Sequence, residues 1–123
     1  MNRTLLKSKI HRATVTDANL RYTGSISLDP VLIKAADLVP YERVEVYNIN
    51  NGERFATYVI RGKPGEVCLN GAAARLVQPG DLVIIASYAD YGPDACRDHQ
   101  PALVYVDAAN CIVQDEDGAG APS

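Results

Sequence analysis

From Arg3 to Thr16 apolar and polar residues alternate, but Ile10, Ala13 and Val15 break the period of two. That spacing predicts a long strand with a bend or bulge. Asp17 to Gly24 reads as a connection and Ser25 to Leu28 as a short strand. The one good helix opens at Asp29-Pro30, where Asp29 suits the N-cap and Pro30 the first helical position. Val31, Leu32, Ala35, Ala36 and Leu38 supply its apolar stripe, and Pro40 marks its end. Arg43 to Ile49 then alternates, Asn50-Asn51-Gly52 turns, and Glu53 to Ile60 returns as the second arm of a hairpin. Val67 to Leu69 follows a turn at Gly62-Lys63-Pro64-Gly65, and Asn70 to Ala74 opens a helical turn. Beyond the turn Gln78-Pro79-Gly80-Asp81, the apolar run Leu82 to Ser87 fits a strand buried on both faces. Ala102 to Val106 is the last clear strand. Many short strands between turn residues predict a mainly β chain, a small barrel with one or two short helices.

Length and composition narrow this further. The 123 residues, 47% hydrophobic and 22% charged, fit one globular domain over positions 1–113. Positions 114–123 carry Asp115-Glu116-Asp117 and end Gly-Ala-Gly-Ala-Pro-Ser, and are expected to be a disordered acidic tail. A net charge of −3 without a basic block argues against nucleic acid as a partner, although Arg3, Lys7, Lys9 and Arg12 cluster near the start. No apolar run approaches the roughly 20 residues that span a membrane, and polar residues interrupt the N-terminus where a signal peptide would need an apolar stretch. A cytoplasmic protein without a membrane partner is the expectation. Cys68, Cys96 and Cys111 form no Cys-x-x-Cys pair, and His11 and His99 have no ligand-like neighbours, so no metal site is expected and the thiols read as free and structural.

The chemistry concentrates in a few segments. Gly24-Ser25 is the one Gly-Ser dipeptide of the chain, and alone it would read as a turn. It stands downstream of Lys7-Ser8-Lys9-Ile10-His11-Arg12 and upstream of Asn51-Gly52-Glu53-Arg54-Phe55-Ala56-Thr57-Tyr58 and of Asn70-Gly71-Ala72-Ala73-Ala74. This ordered set, spread from about Arg3 to about Val106, resembles the aspartate 1-decarboxylase family, pyruvoyl-dependent enzymes that make β-alanine. The resemblance implies a double-psi β-barrel, a homotetramer with active sites between subunits, and L-aspartate as substrate. It further implies that Gly24-Ser25 is the self-cleavage site, giving chains 1–24 and 25–123, with Ser25 becoming a covalently bound pyruvoyl group. Neither a metal nor pyridoxal phosphate is then required. A maturation factor is a candidate partner for the cleavage.

The residue types suit that chemistry. Loss of an α-carboxylate leaves electrons at Cα that need a sink, and no ordinary side chain carries the ketone that forms a Schiff base with the substrate amine. A Ser25 hydroxyl attacking the Gly24 carbonyl, followed by β-elimination and hydrolysis, makes such a ketone. Glycine before the cut leaves the carbonyl open to attack. In an extended strand Arg54, Ala56 and Tyr58 share one face, while Thr57 points to the other. By resemblance Tyr58 is the catalytic proton donor, a role a protonated phenol can fill. Arg54 binds a substrate carboxylate, for which a guanidinium fork is suited, with Lys9 assisting. Thr57, Gly71, Ala72 and Ala73 contact substrate by the same resemblance, Asn70 orients the pyruvoyl group, and His11 and Tyr22 lie near the pocket.

The chain departs from the family in two places. Arg75 stands where family members often have histidine, and the segment between Tyr58 and Asn70 is slightly short. Both bear on efficiency more than on identity. The implied activity is decarboxylation of L-aspartate to β-alanine and CO2, a carboxy-lyase step of pantothenate and coenzyme A synthesis. The competing readings are a non-cleaving barrel used for binding or assembly, and a pyruvoyl decarboxylase for another acidic amino acid such as glutamate. One methylene is worth only about 1–3 kcal/mol in an apolar pocket.

Overall fold

The long first strand, β1 (Arg3–Thr14), organises the molecule, which is described here over residues 1–115 of a computed structural model. It pairs antiparallel with β7 (Leu82–Tyr91) and parallel with β8 (Ala102–Val106). The expected irregularity occurs twice, between Leu6 and Ser8 and between Ile10 and Ala13, and Arg12 in the second bulge has φ of 65°. β1 leads through Val15 and Thr16 into β2 (Asp17–Asn19). The Val15 N–H bonds to the Asp81 carbonyl beside β7 and the Thr16 N–H to the Val67 carbonyl, so consecutive residues tie together two parts of the sheet that are far apart in its strand order. The sheet is thereby drawn round on itself, as a small barrel requires.

The remaining strands are β3 (Ser25–Leu28), β4 (Arg43–Asn48), β5 (Arg54–Arg61), β6 (Val67–Asn70) and β9 (Ile112–Val113), and the sheet runs in the order β2-β6-β3-β5-β4-β7-β1-β8-β9. Helix α1 (Pro30–Ala35) begins as its sequence dictates. The Asp29 carboxylate accepts the Val31 N–H at 2.8 Å, and its other oxygen accepts the Gly65 N–H at 2.8 Å, tying the 62–65 turn to the helix start. A 3-10 turn (Gly71–Leu76) follows β6, and a second short helix, α2 (Pro93–Arg97), follows β7.

Ile10, Val15, Ile26, Leu28, Val59, Leu69, Val83 and Ile85 meet inside the barrel. Their partners in sequence alternate outward, which fixes the outer face of the sheet. The mainly β architecture expected from the sequence is therefore present. Its details differ in four places. Asp17–Asn19 is a strand rather than a connection, because β6 offers it a parallel edge through Asp17–Cys68 and Asn19–Asn70. β7 runs four residues beyond Ser87, held by Arg3 to Leu6 of β1. Its outward residues Leu82 and Ile84 are only half covered. α2 and β9 are too short to be read as periodic patterns. Of the tail, Gln114 and Asp115 form a bend, and the disorder expected for the remainder lies outside the described residues.

Candidate active site

β3 lies between β5 and β6, and its first residue is Ser25. On one side Ser25 faces Asn70 across an antiparallel ladder, with Ser27 facing Cys68. On the other side Ile26 pairs with Val59 in a parallel ladder. Continued backward, that register sets Tyr58 level with Ser25 and Thr57 level with Gly24. The opposite orientations of Tyr58 and Thr57 are thus compatible with both residues flanking the Gly24–Ser25 bond, each beside a different half of it. Thr57 also stands across from buried Val44 on β4.

Ser25 is 1% exposed and Asn70 2% exposed. The Asn70 side-chain Nδ2 donates to Ser25 Oγ at 2.9 Å and to Ser27 Oγ at 3.0 Å. Ser25 Oγ in turn donates to the Thr23 carbonyl at 3.2 Å. Asn70 is also the cap position of the 3-10 turn, yet its side chain makes no cap bond, since it is turned toward the two serines. Gly71 has φ of +66°, and a Cβ there would meet Gly24 Cα at 2.6 Å and Gly24 N at 2.7 Å. The start of the turn is thus pressed against the segment that ends in Gly24. Gly24 itself has room, because a Cβ there would meet just the Asn70 carbonyl at 3.9 Å. Packing therefore demands glycine at 71 and not at 24. Beyond Gly71, Ala72 is exposed and Ala73 packs against the core.

A cleft of about 410 Å³ adjoins this group, lined among others by Asn19, Tyr22, Ser27, Arg61, Cys68 and Asn70. A larger cavity of about 560 Å³ lies beside α1, between Val31, Ile33, Leu38 and Pro40, and contains none of the residues around Ser25. The smaller cleft is the one to whose wall Asn70 and Ser27 belong.

Arg54 and Lys9 stand elsewhere on the outer face. Arg54 lies four residues before Tyr58, about 13 Å along an extended strand. Its guanidinium sits 3.8 Å from the centre of the Tyr47 ring, in a separate cleft of about 300 Å³ with Arg43, Glu45 and Ala56. Burial and a hydrogen bond to the Tyr88 hydroxyl push the Tyr47 phenol up to about 12, so it stays protonated beside Arg54. Lys9 is on β1, level with Ala86 of β7, which is itself level with Glu45 of β4. Three strand spacings separate it from β5. His11 sits two residues further along β1 in edge contact with Tyr105. Tyr22 is exposed and borders the Asn70 cleft. Within one chain the structure brings Gly24, Ser25, Asn70 and Gly71 together, with Thr57 and Tyr58 level with the first two, and leaves Arg54, Lys9 and His11 apart.

Among the described residues no group of three His, Cys, Asp or Glu side chains is placed to hold a metal, and no helix is long and apolar enough to cross a membrane. Cys68, Cys96 and Cys111 are free thiols. Cys68 and Ser27 are the neighbours of Asn70 that sequence reasoning missed. No motif marks them, and their part depends on the pairing register alone.

The family model described as aspartate decarboxylase matches residues 1–113. The chain belongs to the aspartate decarboxylase family. An aspartate 1-decarboxylase of Bdellovibrio bacteriovorus is 59% identical over 114 residues, 93% of this chain and 92% of that protein. Those of Syntrophus aciditrophicus and Pelotomaculum thermopropionicum are each 60% identical, covering 91% and 94% of this chain and 98% and 89% of their own lengths. The match to the aspartate decarboxylase family spans every segment that forms the Ser25 site.

Proposed function

We propose that this chain is a self-processing L-aspartate decarboxylase that supplies β-alanine for pantothenate and coenzyme A synthesis in the cytoplasm. The observation that carries this reading is the Gly24–Ser25 junction, with Ser25 buried, Asn70 Nδ2 2.9 Å from Ser25 Oγ and Gly71 packed on Gly24. Burial of Ser25 holds its hydroxyl, the nucleophile, beside the bond. Attack joins Oγ to the Gly24 carbonyl carbon, and the C–N bond breaks as the nitrogen takes the hydroxyl proton. A donor on Oγ stabilises the charge that grows there as the proton leaves. Loss of the Ser25 Cα proton and cleavage of the Cβ–O bond free chain 1–24 as a carboxylate. Water then replaces the Ser25 nitrogen, releasing ammonia and leaving a ketone.

The residues present fit a pyruvoyl group at position 25, because the Asn70 amide donor already faces that position and the cleft beside it can admit a small amino acid. When bound there, the group supplies the electron sink that decarboxylation needs. Tyr58, level with Ser25, holds a proton at Oη for delivery to the substrate Cα. Tyr22 forms a wall of the cleft, Thr57 flanks Gly24, and Gly71 to Ala73 border the substrate. Arg54 and Lys9 anchor the side-chain carboxylate, leaving the α-carboxylate free to depart. Both lie too far along or across the sheet to do so for the Ser25 of their own chain. A homotetramer in which one subunit's outer face meets another's Ser25 site brings them together. The exposed Tyr41, Tyr88 and Leu103 on that face suit burial against a neighbour.

Denaturing intact-mass spectrometry of wild type and Ser25→Ala tests the reading. The wild type is expected as chains 1–24 and 25–123, the second bearing a ketone in place of its amine, with release of β-alanine from aspartate. Ser25→Ala is expected whole, folded and inactive. Decarboxylation by Ser25→Ala would end the pyruvoyl assignment, and faster turnover of glutamate would end the aspartate assignment. Wild type that cleaves only with cell extract would point to a maturation factor.

A further inference from the structure

We propose that Cys68 is a positioning residue whose thiol holds the Asn70 carboxamide with its Nδ2 toward Ser25, an inference that rests on the self-processing reading above. The Asn70 amide has two N–H donors and one acceptor oxygen. Both donors are used, one on Ser25 Oγ at 2.9 Å and one on Ser27 Oγ at 3.0 Å. The oxygen Oδ1 accepts the Cys68 thiol, with Sγ at 3.3 Å. All four residues are direct neighbours in the β3–β6 ladder, Ser25 across from Asn70 and Ser27 across from Cys68.

A carboxamide rotated by half a turn would still satisfy Ser27, whose hydroxyl can donate to Oδ1, so Ser27 does not select the orientation. Ser25 favours Nδ2 only while its own proton lies on the Thr23 carbonyl, 3.2 Å away, a bond that ends as that proton leaves for the attack. Cys68 holds the orientation throughout. A protonated thiol donates to Oδ1, whereas against Nδ2 the sulfur would be a weak acceptor. Burial, and then the nearby Asp17 and Glu66 carboxylates, push the Cys68 thiol up, so it remains a donor. The choice decides the chemistry. With Nδ2 on Oγ, the growing negative charge of the attacking oxygen is met by a donor. With Oδ1 there, the hydroxyl proton would be held in place and attack opposed.

The test follows cleavage of freshly translated chain in a cell-free system by denaturing mass spectrometry, for wild type, Cys68→Val and Cys68→Ser. Valine fills the space without a donor, and serine restores one. Loss of a neutral hydrogen bond is expected to slow Cys68→Val about three- to tenfold. Cys68→Ser is expected to recover most of that loss, which a purely packing role would not predict. Thermal melts of each variant in a Ser25→Ala background check the fold, and Cys68→Ala replaces Cys68→Val if the latter melts early. Cleavage of Cys68→Val or Cys68→Ala at the wild-type rate would overturn the proposal, as would Cys68→Ser no faster than Cys68→Val. Wild type that stays whole would instead overturn the self-processing reading and this inference with it.

Discussion

Replacing Gly71 with alanine puts a methyl group where the backbone of Tyr22 to Gly24 already stands. The added Cβ would lie 2.6 Å from Gly24 Cα, 2.7 Å from Gly24 N and 3.0 Å from the Tyr22 carbonyl oxygen. All three are backbone atoms, so no side chain can swing aside to relieve the contact. Two costs combine. A left-handed conformation costs an L-residue about 1–2 kcal/mol, and overpacking adds about 1–3 kcal/mol. Gly52→Ala separates them, because Gly52 has φ of +77° and a Cβ there would meet nothing within 4 Å. For a chain of this length about 4 °C of melting temperature is lost per kcal/mol. Gly52→Ala should then melt about 4–8 °C below its parent, and Gly71→Ala about 8–20 °C below. Measuring both in the Ser25→Ala background keeps cleavage out of the comparison. In the cleavable chain the strain falls on Gly24, so processing should slow more than about tenfold, as displacement of reacting groups by a fraction of an ångström implies. Gly52→Ala should cleave like wild type. If Gly71→Ala melted with Gly52→Ala and cleaved at the wild-type rate, the packing of Gly71 on Gly24 would not govern the junction.

Tyr58→Phe should still cleave near the wild-type rate but lose roughly 10²–10⁴-fold in kcat, the range for a lost general acid; near-normal turnover measured by β-alanine release would remove Tyr58 from proton delivery. Glu42 predicts an acid dependence: burial raises its carboxyl, but hydrogen bonds from Lys7 at 2.8 Å, Ser87 and the Val39 N–H, together with the Lys7 charge, outweigh this and leave it lowered. A lowered folded value means the stabilisation is present above the ordinary carboxylate range and is lost as pH falls through the folded value. The stability difference between wild type and Glu42→Gln, read from urea midpoints, should therefore shrink from about pH 6 to about pH 3; a constant difference would refute the assignment.

How far the sequence reveals this molecule depends on whether a feature is local or a matter of register. α1 is legible because Asp29 and Pro30 act on the adjacent N–H groups, and the hairpin of β4 and β5 because Asn50-Asn51-Gly52 specifies its own turn. β2 is illegible, since Asp17, Ala18 and Asn19 have no strand pattern and pair only because β6 is already there. The site divides the same way. Gly24, Ser25 and Asn70 can be picked out as motif residues, but Cys68 and Ser27 enter only through pairing 41 positions apart. That pairing is enforced from the inner face. Ile26 and Leu28 on β3 and Leu69 and Val67 on β6 are fully buried, and they face one another in the ladder alternately with Ser25, Ser27, Asn70 and Cys68. Side chains on a strand repeat every two residues, so a slip of β6 by one position would carry Leu69 out of the core to the Ser25 side and turn Asn70 into the core. Burying four large apolar side chains thus holds Asn70 against Ser25, and the hydrophobic pattern acquires a chemical role that no polar residue in the chain announces.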